Sequence, residues 1–192
     1  MWKKNQRGFS IVLIIYLVCF AFRIFEYFVL HTDRTWGGEA VVHKLVGIFI
    51  LFAAVRMLKF SAADTGFSNK KAAGNVLRGL VLGLCTFAVA YTVESLIIVN
   101  RGNFESLKIY VSTYAVGQNI GQRTQALFFM ICIAGNIINV VMEEGIFRGL
   151  FGKILGQKYS FIVSALIASA LFGFWHIVGP VRNYFDGESS TD

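Results

Sequence analysis

The chain has 192 residues, of which 56% are hydrophobic and only 15% charged, with a single proline. That balance is too apolar for a water-soluble domain of this size and indicates a polytopic membrane protein. The net charge of +7 acquires meaning only when Lys and Arg are sorted by loop, and no nucleic-acid-binding motif accompanies it, so no nucleic-acid partner is expected.

Five runs are long enough to cross a bilayer as helices: 9–30, 41–58, 76–99, 124–147 and 159–179. The first follows Lys3, Lys4 and Arg7 in the manner of a signal peptide. No small-residue cleavage site follows, and the apolar stretch continues through Arg23 and Glu26, so it reads as an uncleaved helix. The second is the weakest, with an uninterrupted core of only Leu45 to Val55. Lys44, Arg56 and Lys59 are expected to extend their charged tips toward headgroups. The polar stretch from Ser61 to Asn75 is a loop. In the third run Gly79 and Gly83 form a G-x-x-x-G packing face, and Glu94 is an intramembrane acid read as a structural partner, for which Arg23 is a candidate.

Between 100 and 123, the residues Phe104, Leu107, Val111, Tyr114 and Ala115 recur near helical spacing, compatible with an interfacial helix or an ordinary loop. Cys19, Cys85 and Cys132 lie in apolar runs without metal-ligand or disulfide spacing. With the N-terminus cytoplasmic, the Lys and Arg of the N-terminus, of 56–78 and of 148–158 outnumber those of the alternate loops. This orientation places the acidic pair described next near the cytoplasmic leaflet. No repeat is present, and 1–192 reads as a single all-α membrane domain, a helical bundle of about five transmembrane helices.

Chemistry enters with Glu143 and Glu144, adjacent acids inside the fourth run. Ionised side chains at that depth require a polar cavity or a partner. Glu144 and Arg148, four apart, can pair on one helix face, leaving Glu143 free. Asn136 and Asn139 extend a polar stripe along the same helix and read as interhelical glue. In the fifth run Ala165, Ser169 and Gly173 form a smooth groove for another helix backbone, and His176 lies on the same side. A turn at Tyr159 and Ser160, beside Gly156, would bring Glu143 and His176 to equal depth on antiparallel helices. A free carboxylate facing an imidazole in a wet cavity can activate water by general-base catalysis. Blander accounts are a structural salt-bridge cluster, a proton path in a coupled transporter, and a core histidine.

Glu143-Glu144-Gly-Ile-Phe-Arg148 has the form E-E-x-x-x-R, and Phe172-Gly-Phe-Trp-His176 the form F-x-x-x-H. Together, one helix apart, they resemble the CPBP (Abi) family of intramembrane endopeptidases, which includes CAAX prenyl endopeptidases and bacteriocin-processing or self-immunity proteins. The resemblance covers about 124–180. It implies a protease in which Glu143 activates water, Glu144 and Arg148 hold the geometry, and His176 positions the water or stabilises the oxyanion, with Phe172 and Asn139 in support. The family's third motif, a second histidine followed by Asn or Asp, has no counterpart after His176 or at His31 and His43. The resemblance thus implies either a core whose C-terminal part is missing from this chain or a degenerate member of the family. Either no cofactor or a divalent metal such as zinc is compatible with it, the candidate ligands being Glu143, Glu144 and His176. The implied partners are the lipid bilayer and a membrane-anchored peptide or protein, CAAX-type or bacteriocin-like, at the plasma membrane. An inactive self-immunity or scaffold protein of the same fold is the alternative.

Overall fold

A computed structural model of the chain describes residues 3–35, 38–68, 70–102 and 126–187. The expected interfacial segment, 100–123, falls almost wholly outside these residues. Among those described, the chain is all helical. Helix α1, Lys3–Phe25, continues through a π-helical turn, Glu26–Leu30, and stops at His31, whose φ of 53° is left-handed. Helix α2 is Val42–Met57 and α3 is Ala72–Asn100. Helix α4, Ala126–Glu143, runs through a π-helical stretch, Glu144–Phe151, into α5, Gly152–Gly156, as one rod. Ser160 caps α6, Phe161–His176, accepting the Val163 N–H at 3.4 Å.

Two departures from the sequence reading concern length. Among the described residues four helical segments, against the five expected, are long and apolar enough to cross a membrane: Gly8–Leu30, Ala72–Asn100, Ala126–Gly156 and Phe161–Phe185. With its 16 residues, α2 measures about 24 Å, short of a hydrocarbon core of about 30 Å. Lys44 does not reach for headgroups either; it is 4% exposed and pairs with Glu39 at 2.7 Å. The fifth run, read as 159–179, extends further, through helix α7, Val178–Phe185. Pro180 sits in its first turn, where a missing N–H removes no helical bond.

The chain divides into two compact units. One, Ser68–Tyr110, is essentially α3, whose Thr86 and Thr92 hydroxyls donate to the carbonyls of Leu82 and Ala88 at 2.8 and 2.6 Å. Such back-bonding satisfies hydroxyls without a neighbouring helix. The other unit, 1–67 and 111–192, holds α1, α2, the α4–α5 rod, α6 and α7. Its core joins Val12, Tyr16 and Cys19 of α1 to Leu51 and Val55 of α2, Met142 to Leu155 of the rod, and Ala168 and Trp175 of α6.

In this unit Gly8 faces Ile154, and Lys153 Nζ donates to Asp64 Oδ1 at 2.6 Å. The beginning of α1, the segment after α2 and the end of the rod therefore share one end of the bundle, the grouping that the basic residues suggested. Glu143 lies eleven residues up the rod from Ile154, about 16 Å from that end.

Asp64 also accepts from the Ser61 backbone N–H at 2.9 Å and hydroxyl at 2.7 Å, closing a capping box. The Lys153 ammonium, then the Ser61 donors, hold its carboxyl well below the usual range. A depressed carboxylate contributes stability that is complete above its unfolded pKa, near 4, and disappears as pH falls through the folded value. Asp64→Asn is accordingly expected to lower the thermal midpoint at pH 7. Wild type and variant should converge on acidification below about pH 4; parallel midpoint curves between pH 7 and pH 3 would contradict this.

Candidate functional site

The E-E-x-x-x-R stretch sits where the rod changes from α to π geometry. A π turn is wider than an α turn and recurs at functional sites. Two glycines allow close packing there. A Cβ on Gly145 would stand 2.5 Å from Leu51 Cδ2, and one on Gly149 would overlap the Thr65 carbonyl oxygen. A flexible side chain can give way; a backbone carbonyl cannot. Gly149→Ala should therefore cost about 1–3 kcal/mol in overpacking, read as a lower thermal midpoint in detergent. A midpoint equal to wild type would show that the 61–67 segment moves freely.

Glu143, whose side chain is 13% exposed, is not free. Its Oε2 accepts from Asn139 Nδ2 at 3.1 Å and its Oε1 from Trp175 Nε1 at 3.0 Å. Arg23 Nη1 of α1 lies 3.9 Å from the same Oε1. Within this unit Arg23 thus has Glu143 as an acidic neighbour. Its guanidinium lies over the rings of Trp175 and Tyr27, 4.6 and 5.1 Å from their centroids, and Nη1 is 3.4 Å from His43 Nε2.

Behind this stands Glu26, fully buried, with His43 Nδ1 2.5 Å from its Oε2. The backbone N–H groups of Val42 and His43 and the Thr32 hydroxyl also donate to Glu26. Because a carboxylate only accepts, the proton of this bond belongs to His43 Nδ1. Nε2 then offers its lone pair to Arg23.

Glu144 and Arg148 pair at 2.7 Å as expected, on the surface, with side chains 42% and 79% exposed. An exposed pair of this kind adds little stability; its interest is its place on a cleft. That cleft, of about 540 Å³, lies between the rod and α6 and is lined by Glu143, Glu144, Phe147, Arg148, Ala165, Ser169 and Phe172, among others. Ala165 and Ser169 thus line this cleft, and among the described residues nothing stands within 4 Å of a Cβ built on Gly173. Ser164, also on the wall, is 4% exposed and its hydroxyl has no partner.

The residue of α6 that meets Glu143 is Trp175, not His176. The equal-depth estimate was close along the axis but one residue off in rotation, since the π stretch changes the phase of the rod. His176 is exposed; its Nδ1 donates to the Phe172 carbonyl at 2.9 Å and its ring packs edge-on against Phe172, centroids 4.6 Å apart. It is one ring removed from the cleft. Asn136, expected to join helices, instead donates to the Cys132 carbonyl of its own helix at 2.9 Å.

The possible ligand set of Glu143, Glu144 and His176 does not converge. Among the described residues no three His, Cys, Asp or Glu side chains gather as a metal-holding group. Both Glu143 oxygens face N–H donors, with a guanidinium beside them, a setting suited to an anion rather than to an anion bound to a cation.

Residues 125–186 match the family model of type II CAAX prenyl endopeptidases, Rce1-like. Through this segment the chain is similar to the CAAX-protease family. The matched stretch is about a third of the chain and nearly coincides with the resemblance at 124–180. No curated protein and no solved structure gave a match. The long apolar helices among the described residues accord with a protein integral to the membrane. The matched segment contains Glu143, Glu144, Arg148, Phe172, Trp175 and His176, whereas Arg23, Glu26 and His43 come from α1, its π-helical turn and α2 outside it. Sequence reading missed that trio. The available signal was Arg23 and Glu26 three apart in an apolar run, a spacing that puts two charges on one helix face.

Proposed function

We propose that this chain hydrolyses a peptide bond of a membrane-anchored substrate by water that Glu143 activates as general base. The observation that carries the reading is a carboxylate held by two hydrogen-bond donors and a nearby guanidinium charge at the wall of an open cleft inside an apolar bundle. Glu143 takes the proton of the attacking water and returns it to the leaving amine. Arg148, on the same wall and oriented by Glu144, supplies positive charge to the oxyanion. With Nδ1–H committed to the Phe172 carbonyl, His176 Nε2 is an acceptor, and it serves water entering past Phe172 rather than the oxyanion.

Phe147, Phe172 and the alanines of α6 suit an apolar or lipidated peptide and favour a CAAX-type substrate over a freely soluble one. Grouping of the basic ends of α1, of the segment after α2 and of the rod supports an N-terminus on the cytoplasmic side of the plasma membrane. The test is reconstitution of the chain in lipid vesicles with a fluorogenic peptide bearing a C-terminal lipidated cysteine segment. Cleavage mapped by mass spectrometry supports the reading. An intact peptide in the presence of folded protein favours a non-enzymatic immunity or scaffold role.

A further inference from the structure

We propose that Arg23 of α1 is a positioning residue for Glu143, itself held by the Glu26–His43 pair, so that the working site extends beyond residues 125–186. This rests on the reading of Glu143 as the base. Arg23 is 7% exposed and reaches Glu143 by charge at 3.9 Å, a contact too long to be a hydrogen bond. Among the described residues its Nε has no hydrogen-bond partner. A guanidinium placed for its own solvation would fill that donor first. Here the plane is set instead by the Trp175 ring at 4.6 Å and the His43 Nε2 at 3.4 Å. Trp175 is the common element: fully buried, it lies under Arg23 and donates its indole N–H to Glu143 at 3.0 Å. Guanidinium and indole thus converge on one carboxylate oxygen and fix its direction toward the cleft.

The anchor is rigid for a separate reason. Glu26 accepts from four donors, three of them from Val42 and His43 on the first turn of α2. It therefore pins the end of α1 to the start of α2 and leaves the His43 ring little freedom beneath Arg23. Removing Arg23 leaves the chemistry of Glu143 intact while loosening its aim. A misplacement of about 1 Å in a reacting group can cost about 100-fold in rate.

The experiment follows the Trp175 indole N–H by amide-type NMR of the full chain in detergent micelles, with Trp175→Phe identifying it among the three tryptophan signals. Glu143→Gln should displace this resonance, and Arg23→Met should displace it as well, with Arg23→Lys lying between. In the vesicle assay Arg23→Met should lower kcat about 100-fold with KM little changed, and Arg23→Lys should recover part of it. An indole signal that moves in Glu143→Gln but stays fixed in a folded Arg23→Met or Arg23→Lys variant overturns the positioning role. A wild-type chain without activity, but with the indole displaced by Arg23→Met, upholds the positioning and removes the hydrolytic reading instead.

Discussion

Glu143→Gln is expected to reduce cleavage of the lipidated peptide by about 100- to 10,000-fold, the range that a general base contributes. Glutamine preserves the shape of the contact: its carbonyl oxygen can still accept the Trp175 indole N–H, now at 3.0 Å from Glu143. What it cannot do is take a proton from water. Arg23 keeps its contacts with His43, Tyr27 and Trp175, so the fold should survive with a modest loss of stability. Glu144→Gln should be far milder, because Glu144 acts through an exposed pair with Arg148 that solvent already screens. The order of the two effects is the informative part. Equal losses would mean that the adjacent acids work as one unit, and a Glu143→Gln enzyme with normal turnover would remove Glu143 from the chemistry.

Much of this site was legible because its parts obey short-range rules. Glu144 and Arg148 pair at the helical spacing, the turn falls between Gly156 and Phe161, and α6 starts at a serine cap. Long-range partners were not legible. Arg23 reaches Glu143 across 120 positions of sequence, and nothing in an apolar run states which other run it will touch. The Trp175 contact was lost to rotation: a helix estimate uses 100° per residue, and the π stretch at Glu144–Phe151 departs from it. The groove of Ala165 and Ser169 was read as a seat for a helix because small residues permit close approach. They permit an open cleft equally well, and periodicity cannot distinguish the two.

Arg182→Met should cost about 3–5 kcal/mol, the range for breaking a buried ion pair by removing one partner. Arg182 is 1% exposed on α7 and works at three points: it donates to the Tyr27 carbonyl, bonds Asp186, and holds Asp33 at 3.6 Å. Asp33 is 2% exposed and neither of its oxygens has a hydrogen bond, so Arg182 is the charge that compensates it. Methionine fills the space but leaves a buried acid and an orphaned carbonyl, both expensive in apolar surroundings. For a chain of this size the loss corresponds to about 6–20 °C in thermal midpoint. Asp33→Asn in the Arg182→Met background removes the stranded charge and should restore much of it; simple additivity of the two changes would mean that the pair is not coupled. The consequence reaches the site, because the carbonyl that Arg182 holds belongs to Tyr27, whose ring lies beneath Arg23. α7 thus steadies the same turn of α1 that aims the base, and Arg182→Met should weaken turnover even at temperatures where the variant remains folded.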